Sequence, residues 1–129
     1  MKDTSPALRV ALAYFRAWTG KDMDTAMRYV ADDVVCEAPA GRIEGAAAFR
    51  AFMAPFAQTV LGADLIAGFG DADTALVIYD TRTVPVASAP GADCLTVRDG
   101  KIVHSRLVFD QAPFDAARSA AAAAEHRTA

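Results

Sequence analysis

The sequence DCLTVRDGKIVHSRLVFD, residues 93–110, places an Asp-Gly pair between two runs in which apolar and polar residues alternate. Such alternation is typical of strands, and Asp-Gly favours the tight turn that joins antiparallel neighbours. The segment therefore predicts a β-hairpin with strands at 92–98 and 101–109. β-Branched runs upstream predict two more strands, at 60–69 and 74–85, and together the four strands form an antiparallel meander.

The first part of the chain predicts helices instead. Ser5 followed by Pro6 is a helix start signal, apolar residues then recur at helical spacing, and Gly20 ends the segment. A second helix is capped by Asp22, and its apolar spacing extends to Val30. Two of the three predicted N-terminal helices therefore come before any strand.

A short strand at 32–39 is predicted next, and GRIEGAAAF then leads into a third helix with Phe49, Phe52 and Phe56 on one stripe. We expect Pro55 to end or kink this helix near Ala54. The alanine-rich segment 115–129 is interpreted as a C-terminal helix or a frayed end.

Segregated helices and strands indicate the α+β class, in a single domain spanning 1–129. We expect three helices packed in a strongly curved, mainly antiparallel sheet. A curved sheet wrapped around helices leaves a cone with an apolar interior, which is a natural small-molecule pocket.

Composition narrows the possible functions. A net charge of −3 and a pI of about 5.2 argue against nucleic-acid binding. No apolar run reaches the roughly 20 residues that span a bilayer, and no signal-peptide core is visible at the N-terminus. Two cysteines outside any C-x-x-C motif favour a reduced, cytoplasmic protein, and two histidines argue against a metal site.

The segments YFRAWTGKDMDTAMRYVADDVV, GRIEGAAAFRAFM and DCLTVRDGKIVHSRLVFD, in this order, resemble the nuclear-transport-factor-2-like (NTF2-like) superfamily. The resemblance is greatest to SnoaL-like proteins and ketosteroid isomerases, and it covers roughly residues 6–114. It implies the cone fold, a small hydrophobic ligand, no cofactor and a homodimer through the outer sheet face. The superfamily holds isomerases, polyketide cyclases, epoxide hydrolases, dehydratases and non-catalytic modules, so the fold alone does not select a reaction.

The resemblance also implies site residues. Tyr14 and Asp93 match the two groups that form the oxyanion hole of ketosteroid isomerases, in which an apolar site keeps the carboxyl protonated. The position of the isomerase base is Ala38 here, so that base is absent. Arg82 resembles the arginine of the epoxide hydrolases, but their two aspartate positions are Val84 and Leu107.

The strand around YDTRTV has two possible registers. Asp80 and Arg82 share one face, where they would anchor a ligand carboxylate or carbonyl, whereas the other register puts Tyr79 and Thr81 inside. The run ALVIYD is apolar on both faces, so periodicity leaves the register open. The epoxide-hydrolase resemblance favours Arg82 inside.

The remaining predictions concern the two faces of the sheet. Glu37 shares a face with Val35 and is expected to point outward, away from Ala38. The outward row of the hairpin, expected to contact a second copy, comprises Cys94, Thr96, His104, Arg106 and Val108. We expect the ligand to contact Trp18, Ala38, Phe52, Phe56, Asp80, Leu95, Ser105, Leu107 and Phe109.

Two functions from different classes fit these residues. The first is a cofactor-independent isomerase, cyclase or dehydratase of a hydrophobic carbonyl compound, in which Tyr14 and Asp93 polarise the carbonyl and Arg82 or Asp80 orients the substrate. Asp93 is itself the first candidate for the acid-base group. The second is a non-catalytic, dimeric ligand-binding or interaction module.

Overall fold

Four helices and six strands make up the protein in a computed structural model that describes residues 5–128. Residues 1–4 and 129, at the two ends of the predicted domain, lie outside the described residues. The helices are α1 Pro6–Thr19, α2 Met23–Met27, α3 Ala46–Thr59 and α4 Ala112–Thr128. The strands are β1 Val30–Ala38, β2 Gly41–Glu44, β3 Val60–Gly70, β4 Thr74–Thr83, β5 Gly91–Arg98 and β6 Lys101–Phe109.

The caps of the first two helices follow the sequence. The Ser5 side chain accepts a hydrogen bond from the Leu8 amide at 3.1 Å, and the Asp22 side chain accepts one from the Thr25 amide at 3.1 Å. Each bond satisfies an amide that has no partner within its helix. The predicted extension of the second helix to Val30 is wrong, because β1 begins at that residue and binds β6.

Helix α3 does not end at Pro55, which excludes one of the two expected outcomes, an end or a kink. It continues to Thr59, because Met53 and Ala57, on either side of the proline, are both buried in the core. Proline removes one backbone hydrogen bond, and packing of the apolar face outweighs this loss.

The strands form one curved, unclosed sheet in the order β2-β1-β6-β5-β4-β3. All neighbours are antiparallel except β1 and β6. Register shifts interrupt the β3–β4 ladder between Val60 and Gly62 and between Leu65 and Ala67, and such bulges bend a strand. The predicted α+β class and the cone are therefore confirmed.

Strand β2 was not predicted from sequence, where GRIE was assigned to the approach to α3. It is a four-residue edge strand, mostly exposed, that pairs only with β1. So short a strand contains no alternation from which it can be recognised.

The predicted hairpin is present. The register joins Arg98 to Lys101, and Asp99 and Gly100 both have positive φ, of 54° and 75°. This is the backbone of the tight turn that matches the twist of the flanking strands. Within residues 5–128, no helix is long and apolar enough to cross a membrane.

Candidate functional site

A cavity of about 320 Å³ lies between the inner face of the sheet and three of the helices. Its lining is mainly apolar and aromatic, which is typical of small-molecule sites. The lining residues are Trp18, Ala40, Phe52, Met53, Phe56, Tyr79, Ala89, Pro90, Gly91, Leu107, Phe109, Gln111, Phe114 and Arg118.

Helix α4 covers one side of this cavity through a single aromatic residue. The Phe114 ring lies 5.9 Å from the Phe56 ring of α3 and 5.8 Å from the Phe109 ring of β6, both edge to face. Edge-to-face pairs add to the stability gained from burial. The alanine-rich segment is therefore a helix held against the cavity, although most of its other side chains are exposed.

A buried polar cluster lies on the inner face of the sheet. The Ser105 hydroxyl donates a hydrogen bond to Asp93 Oδ1 at 2.7 Å, and the Cys36 thiol lies 3.8 Å from Ser105 Oγ. Asp93 is only 5% exposed, and it shares its face with Leu95 and Val97, as strand alternation predicted. A carboxyl with one hydrogen-bond donor in an apolar interior is costly to ionise.

Burial changes the acidity of Asp93 and of two nearby tyrosines. Desolvation raises the pKa of Asp93 to about 7, against the smaller lowering effect of the Ser105 hydrogen bond. Desolvation also raises the pKa of Tyr14 and of Tyr79, and the negative charge of Asp93 adds to both rises. Asp93 therefore exchanges a proton near neutral pH, while both phenols stay protonated.

The Tyr14 hydroxyl has no hydrogen-bond partner. Among the side chains of residues 5–125, which the structure describes, it is the one buried polar atom in this condition. Its ring is held by α1 and stacks on Phe49 of α3 at 6.3 Å. A buried hydroxyl without a partner costs about 1–3 kcal/mol, a loss that a ligand oxygen would recover.

The polar cluster lies next to the cavity rather than in its lining. Asp93 comes two residues after Gly91 on the same strand face and directly opposite Leu107 on β6, and both of these neighbours line the cavity. Tyr79, opposite Gly91, also lines it. Asp93 therefore lies immediately beyond the residues that line the cavity.

Five of the predicted ligand contacts line the cavity: Trp18, Phe52, Phe56, Leu107 and Phe109. The other four do not, and one of them, Asp80, is described below. Leu95 and Ser105 are buried further along the inner face, and Ala38 packs against the core from the end of β1. The cavity lies at the end of the cone nearest α4, and these three residues lie away from that end.

The predicted inward placement of Asp80 and Arg82 is wrong. Arg82 lies on the outer face, where its guanidinium pairs with Asp64 at 2.7 Å, and Asp80 accepts a hydrogen bond from Ser88 at 3.1 Å. Tyr79 occupies the inner face instead, because its ring packs on the core aromatics of α1. Arg82 therefore does not touch the cavity.

Glu37 points outward, as predicted. Its Oε2 lies 2.8 Å from His104 Nε2 and accepts a hydrogen bond from Arg106 at 2.7 Å, both from the neighbouring strand β6. The hydrogen bond with His104, and then the charge of Arg106, lower the pKa of Glu37. The C-terminal end of β1 therefore contributes an ion pair to the outer surface and no carboxylate to the cavity.

Sequence reasoning missed several cavity residues, among them Met53, Gly91, Phe114 and Arg118, and it placed Tyr79 inside only in the alternative register. Two of them left a signal: Phe114 and Arg118 are four residues apart, and so lie on one helix face. Gly91 is needed because a Cβ there would lie 3.0 Å from the Tyr79 hydroxyl. Among the described side chains, no group of three metal-binding residues occurs.

Comparison with known proteins identifies the family. The family model described as a SnoaL-like domain matches residues 11–105, which is most of the chain. This chain belongs to the SnoaL-like family. None of the curated proteins compared with it matches.

Solved structures agree with the SnoaL-like assignment. A protein from Kribbella flavida DSM 17836 is 60% identical, with a TM-score of 0.87 over 89% of this chain and 95% of that one. An NTF2-like protein of unknown function from Cytophaga hutchinsonii ATCC 33406 is 17% identical, with a TM-score of 0.70 over 88% and 98%. TerC, co-crystallised with polyporic acid, is 21% identical, with a TM-score of 0.67 over 86% and 96%. The fold is therefore NTF2-like.

Proposed function

We propose that this SnoaL-like protein binds a small hydrophobic carbonyl compound in the cavity and catalyses a cofactor-independent isomerisation, cyclisation or dehydration. The observation that carries the proposal is the unpartnered Tyr14 hydroxyl near the buried Asp93 carboxyl, which is itself next to residues that line an apolar cavity. Co-crystallisation of TerC with polyporic acid gives a precedent for a small molecule in this fold.

In the proposed reaction Tyr14 donates a hydrogen bond to the substrate carbonyl oxygen. This bond stabilises the negative charge that develops there when a proton leaves the neighbouring carbon. Asp93, with a pKa of about 7, accepts that proton as a carboxylate and returns it elsewhere as an acid. Asp93 thus serves as the general base, because the position of the ketosteroid isomerase base is Ala38 in this chain. Ser105 positions the carboxyl through its hydrogen bond.

Access to the two groups requires a small movement of Leu107. This side chain is 9% exposed, lines the cavity and lies opposite Asp93. A different rotamer of one leucine connects the cavity to the carboxyl without a change in the backbone.

The test combines binding with turnover. Aromatic ketones and lactones are screened by the rise in melting temperature, because a ligand of the native state stabilises it. Compounds that bind are then assayed for turnover by the wild type and by Asp93→Asn. We expect the variant to bind but to lose activity by a factor of about 100 or more, as for other acid-base groups. Unchanged turnover would remove Asp93 from the mechanism.

Two observations favour a second function. Neither Tyr14 nor Asp93 lines the cavity, and the isomerase base position is an alanine. These features support a non-catalytic ligand-binding or interaction module. Binding of several carbonyl compounds without turnover of any of them would favour this alternative.

We propose a homodimer in either case, formed through the outer sheet face. Phe69, Leu76 and Cys94 lie side by side on β3, β4 and β5, and Ile78 and Val108 belong to the next row. The first of these rows continues through Arg106 to Glu37, so the face has an apolar and a charged half. A two-fold partner can place apolar on apolar surface. Elution as a monomer at micromolar concentration would contradict the dimer.

A further inference from the structure

Charge is distributed very unevenly around the cavity. Among the described residues that line it, Arg118 is the one with an ionised side chain, and no carboxylate lines it. The other polar side-chain groups of the lining residues are the Gln111 amide, the Tyr79 hydroxyl and the Trp18 indole N–H. The Arg118 guanidinium is therefore the one charged group in the lining, and it lies on the side next to α4.

The position of Arg118 is fixed by the packing of α4. It follows Phe114 by one helical turn, and Phe114 is held by Phe56 and Phe109. Residues four apart lie on one helix face, so the packing that seats Phe114 also directs Arg118 to the cavity.

Arg118 pairs with Asp115 in the unliganded protein, and this pair leaves the guanidinium available. Both side chains are mostly exposed, at 70% and 59%. Exposed ion pairs contribute little to stability, so exchanging or sharing this partner costs little. A guanidinium also binds a carboxylate through two parallel hydrogen bonds.

From these observations we propose that the ligand of the cavity carries a carboxylate at one end, bound by Arg118, and that this group selects the substrate. The inference rests on the proposed function and narrows its substrate class to hydrophobic carbonyl compounds with a carboxylate remote from the reacting carbonyl. The charges also orient the ligand, because a carboxylate at the inner end would be repelled by the ionised form of Asp93.

The test uses two matched probes, naphthoic acid and its neutral isostere naphthamide, with binding measured by calorimetry at low salt. We expect the wild type to bind the acid more tightly. Arg118→Gln should weaken binding of the acid about threefold, the size expected for an exposed pair, and leave the amide unchanged. Asp115→Asn should strengthen binding of the acid about twofold, because it frees the Arg118 guanidinium from its ion pair. Arg118→Lys should retain part of the preference for the acid over the amide.

The control is Arg50→Gln, which removes another exposed arginine that is paired with an aspartate, Asp24, and that does not line the cavity. It should leave both affinities unchanged. Equal affinities of the two probes in the wild type, or an equal loss of both in Arg118→Gln, would overturn the carboxylate selection and leave the proposed function standing. If neither probe and none of the neutral ketones binds, the carboxylate selection and the proposed function are both overturned.

Discussion

The acidity of Asp93 is tested most clearly through the stability of the folded protein. Burial raises its pKa from 3.8 to about 7, a difference of about 3 pH units, which corresponds to about 4 kcal/mol. The folded state prefers the protonated carboxyl. The stability that this proton gives is fully present below pH 3.8, is lost as the pH rises to about 7, and changes no further above that.

The variant Asp93→Asn keeps the shape of the protonated carboxyl and an oxygen that accepts from Ser105. Its free energy of unfolding should match that of the wild type near pH 4. It should exceed the wild type by about 1.4 kcal/mol for each pH unit above that, up to about 4 kcal/mol at pH 8. Groups shared by the two proteins, including Glu37, cancel in the difference.

The measurement is urea unfolding of both proteins at intervals from pH 4 to pH 8, analysed by linear extrapolation. A difference in unfolding free energy that stays constant over this range would refute the raised pKa. It would also refute the role of Asp93 in proton transfer near neutral pH.

Three further changes test the packing of the site. Ser105→Ala removes the hydrogen bond that lowers the pKa of Asp93, so the pH-dependent loss of stability should extend above pH 7 in the same unfolding series. Gly91→Ala places a Cβ 3.0 Å from the Tyr79 hydroxyl and should cost about 1–3 kcal/mol in urea unfolding; no change would contradict this packing. Phe114→Ala removes two edge-to-face pairs, so amide exchange in α4 should accelerate on the order of tenfold, and unchanged protection would show that other contacts hold the helix.

The parts of the fold that were predictable are those in which one face of a strand differs from the other. Alternation placed Asp93 on the inner face and Glu37 on the outer face, and Asp-Gly placed the hairpin turn. Strand β4 is apolar on both faces around Ile78, so the sequence alone could not decide between Tyr79 and Arg82. Packing of the Tyr79 ring on α1, a contact between distant segments, decides it.

The site was less predictable than the fold because its boundary depends on contacts between segments far apart in sequence. Nothing local in the alanine-rich tail shows that Phe114 reaches Phe56, about 60 residues earlier. The same holds for the separation of Ser105 from the cavity, which depends on how far the helices fill the cone. The sequence was sufficient to predict which residues form the polar cluster. The position of the cluster outside the cavity lining could be seen only in the folded structure.

The most direct test of the proposed site is the infrared carbonyl stretch of a bound aromatic ketone. In the wild type we expect a shift to lower frequency than in an apolar solvent, because the Tyr14 hydroxyl polarises the carbonyl. The isosteric variant Tyr14→Phe should bind the ketone but lose the shift. The same frequency in both proteins would contradict the proposal that the ligand carbonyl reaches Tyr14 and Asp93.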